Sequence, residues 1–193
     1  MTERLSFQIR LAMILLAALA GAIRAAAEPA AKRADPPAPP DRLHLASDEI
    51  YEFPLVIMTG EGTFDLSEAE RETLRRYVER GGFLLASAGC SSVEWDRSFR
   101  REMAKVFAEH PLRPVDMDHP IFHTVFEIRR LAAKHGEPRP LEGISLGGRL
   151  GVVYSQDGLN DTPHTQGCCC CGGNEIVNAI EINVNTLAYA VTY

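Results

Sequence analysis

The apolar positions of this chain fall into short runs and periodic stripes separated by glycine-rich breaks. Phe53–Thr59 reads FPLVIMT, an apolar run of strand length that ends at the turn signal Gly60-Glu61-Gly62. Ser67, with Glu70 three residues on, forms a capping box. Leu74, Tyr77 and Val78 then recur at helical spacing until Gly81-Gly82 stops the pattern. Phe83–Ala86 predicts a second strand running into Ser87-Ala88-Gly89-Cys90-Ser91-Ser92. Ser91 and Glu94 predict a second capping box, and Trp95, Phe99, Met103, Val106 and Phe107 the core-facing stripe of a second helix. Strand, helix, strand, helix with short turns predicts an α/β fold, a mostly parallel sheet covered by helices on both faces.

The second half is less regular. Asp118-His119-Pro120-Ile121-Phe122 predicts a turn into an extended piece. Ile144–Leu146, Gly147-Gly148 and Arg149–Ser155 predict a hairpin with a Gly-Gly turn, its second arm apolar enough for a central strand. A loop is expected over Gln156–Gly173. A last helix should begin near Asn174, a good N-cap, with Ile176, Ile180, Val184, Leu187 and Val191 as its buried stripe. Asn178 and Asn185 fit a solvated face, whereas Asn183 lies close to the stripe and is expected to bond a neighbouring loop or strand end. His119 and His123 read as satisfied loop or core histidines.

Ahead of these elements the pattern changes. Arg4 and Arg10 precede an uncharged stretch, Leu11–Ile23, that falls short of the roughly 20 apolar residues of a transmembrane helix. Ala25-Ala26-Ala27 supplies a small-residue cleavage site. Residues 1–27 therefore predict a secretory signal peptide, with an uncleaved membrane anchor as the alternative that Arg24 favours. Residues 28–41, with Pro29, Pro36, Pro37, Pro39 and Pro40, predict an extended linker. Residues 42–193 are then one domain, and an exported, periplasmic or cell-envelope location follows. The chain has 193 residues and a net charge of −6. Loss of the leader would make it more acidic, and no basic stripe remains to bind nucleic acid.

The candidate chemistry is dominated by Cys168-Cys169-Cys170-Cys171, which runs into Gly172-Gly173-Asn174. Thiols before a helix start sit at the positive end of its dipole, which favours thiolate. Thiolates select Zn, Cu(I) or an Fe–S cluster, and His164 would add a nitrogen ligand. Metal sites usually space their ligands, however, and neighbours on an extended backbone point to opposite faces. A redox or disulfide loop and an inert structural loop are the other readings. Adjacent cysteines have Cα atoms about 3.8 Å apart, below the roughly 4.4–6.8 Å of a disulfide. A Cys168–Cys170 or Cys169–Cys171 bridge is easier to build. Five cysteines is an odd number, so one cannot pair within the chain.

Sites in open parallel sheets lie beyond the carboxyl ends of the strands. Three predicted strands end in TGEG, SAGCSS and SQDGLND. If they are parallel, Glu61, Cys90, Asp157, Asn160, Asp161, His164 and the four cysteines share one edge with Asn174. Glu61, Asp157, Asn160, Asp161 and Asn174 are the candidate ligand-binding residues, suited to a cation or a sugar hydroxyl, although Asp-Gly and Asn-Asp are also plain turn formers. Cys90 reads either as a small residue packed beneath a helix start or as a nucleophile.

The segments SDEIYEFPLVIMTGEGTF, GGFLLASAGCSSVEWDRSFRRE, DHPIF, GRLGVVYSQDGLND and CCCCGGNEIVNAIEINVNTLAYA, in that order, resemble the bacterial family of unknown function DUF4159 over about residues 43–193. The resemblance implies a three-layer, flavodoxin-like fold similar to the class I glutamine amidotransferases. In those enzymes a cysteine nucleophile sits on a strand-to-helix turn, where Cys90 falls, and a His and Glu follow a later strand. Here RLGVVYS leads into Gln156-Asp157 with no histidine, so glutamine hydrolysis is not expected. Relatives carry another strand-helix unit ahead of LHLASDE, so the sheet is expected to lack one strand. The expected function is a non-catalytic ligand- or metal-binding domain, exported and tethered. A thiol-dependent hydrolase or redox protein using Cys90 or Cys168–Cys171 is the alternative. A partner in a membrane-associated complex is a third reading.

Overall fold

FLLASA is apolar on both faces and is buried throughout beneath helices on either side, whereas FPLVIMT pairs beside it at the sheet edge and leaves Ile57 exposed. The computed structural model describes residues 44–159 and 174–193. The expected leader and linker lie outside them. Within the described residues five strands form one sheet: β1 (Leu55–Gly60), β2 (Phe83–Ala88), β3 (Arg113–Pro114), β4 (Glu142–Leu146) and β5 (Arg149–Ser155). Their order is β1-β2-β5-β4-β3. β1, β2 and β5 are parallel, while β4 runs antiparallel to both β5 and β3. The β4–β5 hairpin turns on Gly147 and Gly148, whose φ values of 59° and 84° give the two left-handed positions that such a turn requires.

Three helices flank the sheet: α1 (Glu68–Glu79), α2 (Val93–Val106) and α3 (Ala179–Thr192). The predicted box at α1 is present, with the Ser67 amide donating to the Glu70 carboxylate at 2.7 Å and the Ser67 hydroxyl accepting from the Glu70 amide. Alternate residues of β2 enter separate cores. Leu84 and Ala86 face Leu74, Tyr77, Trp95, Phe99 and Met103 of α1 and α2. Phe83 and Leu85 face Ile121, Phe122, Ile182 and Tyr189 on the other side. Phe99 is stacked between Trp95 and Tyr154, with ring centroids 5.1 and 4.3 Å away. Among the described residues no helix is long and apolar enough to cross a membrane.

Four local expectations are corrected. The cap of α2 is Ser92, not Ser91: Ser92 accepts from the Trp95 amide, whereas Ser91 is in the left-handed region at φ 53°, which an N-cap does not adopt. The DHPIF segment closes into a 3-10 turn, Pro120–Phe122, because proline suits the first helical position and the His119 Nδ1 accepts from the Ile121 amide. The last helix starts at Ala179 and not near Asn174. Backbone groups of 174–177 instead pair with Gly158 on one side and with Ala132 and Lys134 on the other. The fourth correction is the face that α3 buries. Ile176 is buried, but Ile180, Val184, Leu187 and Val191 are exposed, and Ile182, Asn185, Thr186, Tyr189 and Ala190 face the sheet.

The asparagines explain that inversion. Asn185 is fully buried; its Oδ1 accepts from the Val125 and Phe126 amides at 3.0 and 2.7 Å, and its Nδ2 donates to the Phe126 carbonyl. Asn178 likewise accepts from the Ala132 amide and donates to the Arg130 carbonyl. These side chains serve the backbone of the 124–132 segment rather than a solvated face. Asn183 donates to the carbonyl of Leu159, beyond the end of β5.

Candidate functional site

The three parallel strands deliver their carboxyl ends to one edge. Gly60 is in register with Ala88, and Thr59, Ser87 and Ser155 form one row across β1, β2 and β5. By alternation this row lies on the α3 side of the sheet, with Phe83 and Leu85. The Ser87 hydroxyl donates to that of Thr59 at 3.5 Å. The Ser155 hydroxyl is buried and has no hydrogen-bond partner among the described residues.

The chain leaves these strands in different directions. After β2 it enters α2, on the side of Leu84 and Ala86. After β5 it reaches α3, on the side of Phe83 and Leu85. Where the connections of neighbouring strands depart to opposite faces, the crevice between their carboxyl ends is the usual ligand position in α/β sheets. Cys90 and Ser91 stand on its β2 side, and Asp157 and Gly158 on its β5 side.

The β2 side is strained. Cys90 and Ser91 are consecutive non-glycine residues with φ of 47° and 53°, a conformation that costs about 1 kcal/mol or more for each. Surrounding bonds hold them there. The Ser91 hydroxyl donates to the Asn174 carbonyl at 2.7 Å, the same oxygen that accepts from the Gly158 amide at 2.9 Å. Asn174 thus ties the two sides of the crevice together. Ser92 accepts from the Gly62 amide at 3.1 Å and binds the β1 loop as well. Gly89 is needed for this closeness, since a Cβ there would sit 3.0 Å from the Gly60 carbonyl and 3.1 Å from Cγ of Glu61. Trp95, stacked on Phe99, lies against Gly60 from below.

Of the predicted site residues, the structure gathers Glu61, Cys90, Asp157 and Asn174 at this edge. Glu61 is exposed and Cys90 is half-buried. Asp157 is fully buried and committed to Arg139: Oδ2 accepts from the Arg139 amide at 2.7 Å and Oδ1 from its guanidinium at 2.9 Å. It therefore braces the loop. Asn174 is likewise engaged, its Oδ1 accepting from the His135 amide at 2.9 Å. Asn160, Asp161, His164, Cys168, Cys169, Cys170 and Cys171 lie outside the described residues. Among the described residues no group of three or more His, Cys, Asp or Glu side chains is placed to hold a metal ion.

Several participants were not foreseen. Ser91 and the Thr59–Ser87–Ser155 row had a sequence signal, hydroxyl residues closing apolar strands. Arg139 and His135 had none, because the 132–135 segment reaches the edge only by pairing with 174–177. His123 stays in its own loop, while the His119 ring packs against Tyr189 of α3 with centroids 5.3 Å apart. Burial lowers the His119 pKa. The His123 Nε2 lies 2.7 Å from the Met117 carbonyl, and this bond, with Glu127 beside Nδ1, raises its pKa. A cavity of about 440 Å³ opens near His110, Arg113, Asp116, His119 and Ser145, by Leu150 at the amino end of β5, away from the strained turn.

No curated protein matches the chain. The family model described as "Domain of unknown function (DUF4159)" matches residues 17–191, reaching upstream of the motifs that begin near residue 43. A match over nine-tenths of the length, on motifs that form the strand ends and both elements lining the crevice, settles the family: the chain belongs to DUF4159, a domain of unknown function.

Proposed function

We propose that this protein is an exported, non-catalytic binding domain with a flavodoxin-like, amidotransferase-like sheet, whose ligand sits in the crevice between the carboxyl ends of β2 and β5. The observation that carries this reading is the strained pair Cys90–Ser91 at a strand-to-helix turn, held by the bond of Ser91 to Asn174 and by the bond of the next residue, Ser92, to the loop after β1. Left-handed non-glycine residues concentrate where a binding or catalytic geometry over-determines the backbone. The Ser155 hydroxyl on the same edge, without a partner among the described residues, supports it, since buried polar groups without partners are rare in native folds. The chemistry offered is hydroxyls, backbone amides and the exposed Glu61, which suits a small polar molecule or a cation. The Cys168–Cys171 run precedes Asn174 in the chain, so a soft metal (Zn, Cu(I) or an Fe–S cluster) remains part of the proposal. The leader-like residues 1–27 support export and a place beside a membrane-associated complex.

Thermal-shift titration of the full chain with Zn²⁺, monosaccharides and short dicarboxylates tests it. Ser155→Ala should raise the midpoint of the unliganded chain, because leaving a buried hydroxyl unpaired costs about 1–3 kcal/mol. The same variant should weaken the shift produced by any ligand that binds. A ligand shift undiminished in both Ser155→Ala and Cys90→Gly would sink the assignment.

One observation favours a second reading, thiol chemistry at Cys90. Ser91 bonds the Asn174 carbonyl and the His135 backbone amide bonds the Asn174 side chain, so Asn174 joins the strained turn to the segment that carries His135. A histidine on a neighbouring segment would supply the base that the sequence lacks after β5. Alkylation of Cys90 that is rapid at pH 6 and slowed by His135→Ala supports this reading. Labelling that needs unfolding removes it.

A further inference from the structure

Helix α3 is apolar on two opposite sides, and the sheet takes the more polar one. Facing the sheet are Ile182, Asn185, Thr186 and Tyr189, all buried. Turned outward are Val177, just before the helix, and Ile180, Val184, Leu187 and Val191, which are 67, 71, 38, 51 and 62 % exposed. A helix that is apolar all round is normally buried on every side. Among the described residues this one is covered on one.

The outward residues do not scatter. Their spacing is three, four, three, four, the seam of two packed helices. Valine occupies every first seam position, with Ile180 and Leu187 at the second, so the stripe is apolar at each step. Ala188 flanks the seam and permits close approach. Beside the helix, Val125 and Phe126, held by Asn185, add exposed apolar surface. From these exposures each copy leaves roughly 600–800 Å² of apolar surface uncovered, so two copies would bury on the order of 1,200–1,600 Å², the size of a specific, stable interface.

We infer that this face is the interface between two copies of the chain, α3 packing antiparallel on α3 about a two-fold axis at Val184. The two-fold makes the patch self-complementary, the commonest arrangement of homodimers. Glu181 is the single charged residue of α3, and this sets the direction. Parallel pairing would bring the two carboxylates to one level, whereas antiparallel pairing separates them by about 9 Å along the axis and opposes the helix dipoles. The crevice between β2 and β5 is left open, and the inference does not depend on what binds there.

Sedimentation equilibrium of the purified full chain is the test. The expected result is a reversible dimer in the micromolar range, with the Ile180→Glu, Leu187→Glu double variant weakening association at least about 100-fold, about 2.8 kcal/mol in all. Both positions are exposed in the single chain, so its circular dichroism should not change. Should the double variant fail to fold, Leu187→Ser read by the same measurement replaces it. A chain monomeric at tens of micromolar overturns the inference, as does a dimer that survives the substitutions. A monomer that floats with phosphatidylcholine vesicles, and loses that binding in the double variant, gives the face to lipid and overturns it too.

Discussion

Cys90 and Ser91 show how much a single pair of residues can report. Both hold a conformation that glycine would adopt freely, in a loop where Gly89 already stands next door. Cys90→Gly is therefore expected to raise the unfolding midpoint by about 2–4 °C, the equivalent of about 1 kcal/mol in a chain of this size, as read by scanning calorimetry. A lowered midpoint would mean that the Cys90 side chain contributes more than the strain costs. The sequence placed Cys90 at a strand end by its neighbours FLLA and SS, but not its backbone angles, which come from bonds to Gly62 and Asn174 far along the chain. Asp157 illustrates the opposite limit. Its Asp-Gly context suggested a ligand or a turn, and only the fold reveals that Arg139 occupies both carboxylate oxygens.

Among the elements, α2 carries a second buried commitment. Glu102 is fully buried and accepts from Lys105 (2.8 Å), Arg71 (2.9 Å), Arg101 (3.2 Å) and the Leu66 amide (3.3 Å). Burial alone would push its pKa up, but these four donors outweigh it and hold the carboxylate down to about 2. Its folded pKa thus lies below the unfolded value of 4.5, so its stabilisation is complete above that pH and disappears as pH falls toward about 2. Urea unfolding between pH 5 and pH 2 should show a loss of about 3 kcal/mol that the Glu102→Gln variant, already weakened at neutral pH, lacks. Equal slopes for the two proteins would contradict the assignment. The stripes of α1 and α2 were legible because each helix has one apolar face and one core to meet. In α3 the strongest periodicity marks the face turned away from the sheet. Periodicity identifies an apolar stripe but not its occupant, and Asn185 is buried for hydrogen bonds that no hydropathy pattern carries.

For the whole molecule, the convergence of strand ends follows from the order of elements, and the order was legible. Two strand-helix units in succession, then a Gly-Gly hairpin, require β1, β2 and β5 to end at one edge once they are parallel. The direction in which the chain leaves each strand was not legible, because α2 and α3 both carry apolar residues enough to cover either face. That departure to opposite faces makes the crevice the usual ligand position. The central claim, that ligands enter between β2 and β5, is tested most directly by ¹⁵N amide shifts of the full chain titrated with Zn²⁺ and with the small polar molecules that stabilise it. The account predicts changes concentrated at Gly62, Cys90, Ser91, Ser92, Gly158 and Asn174. Changes concentrated instead around His110, Arg113 and Ser145, with the Cys90–Ser92 amides unmoved, would contradict it.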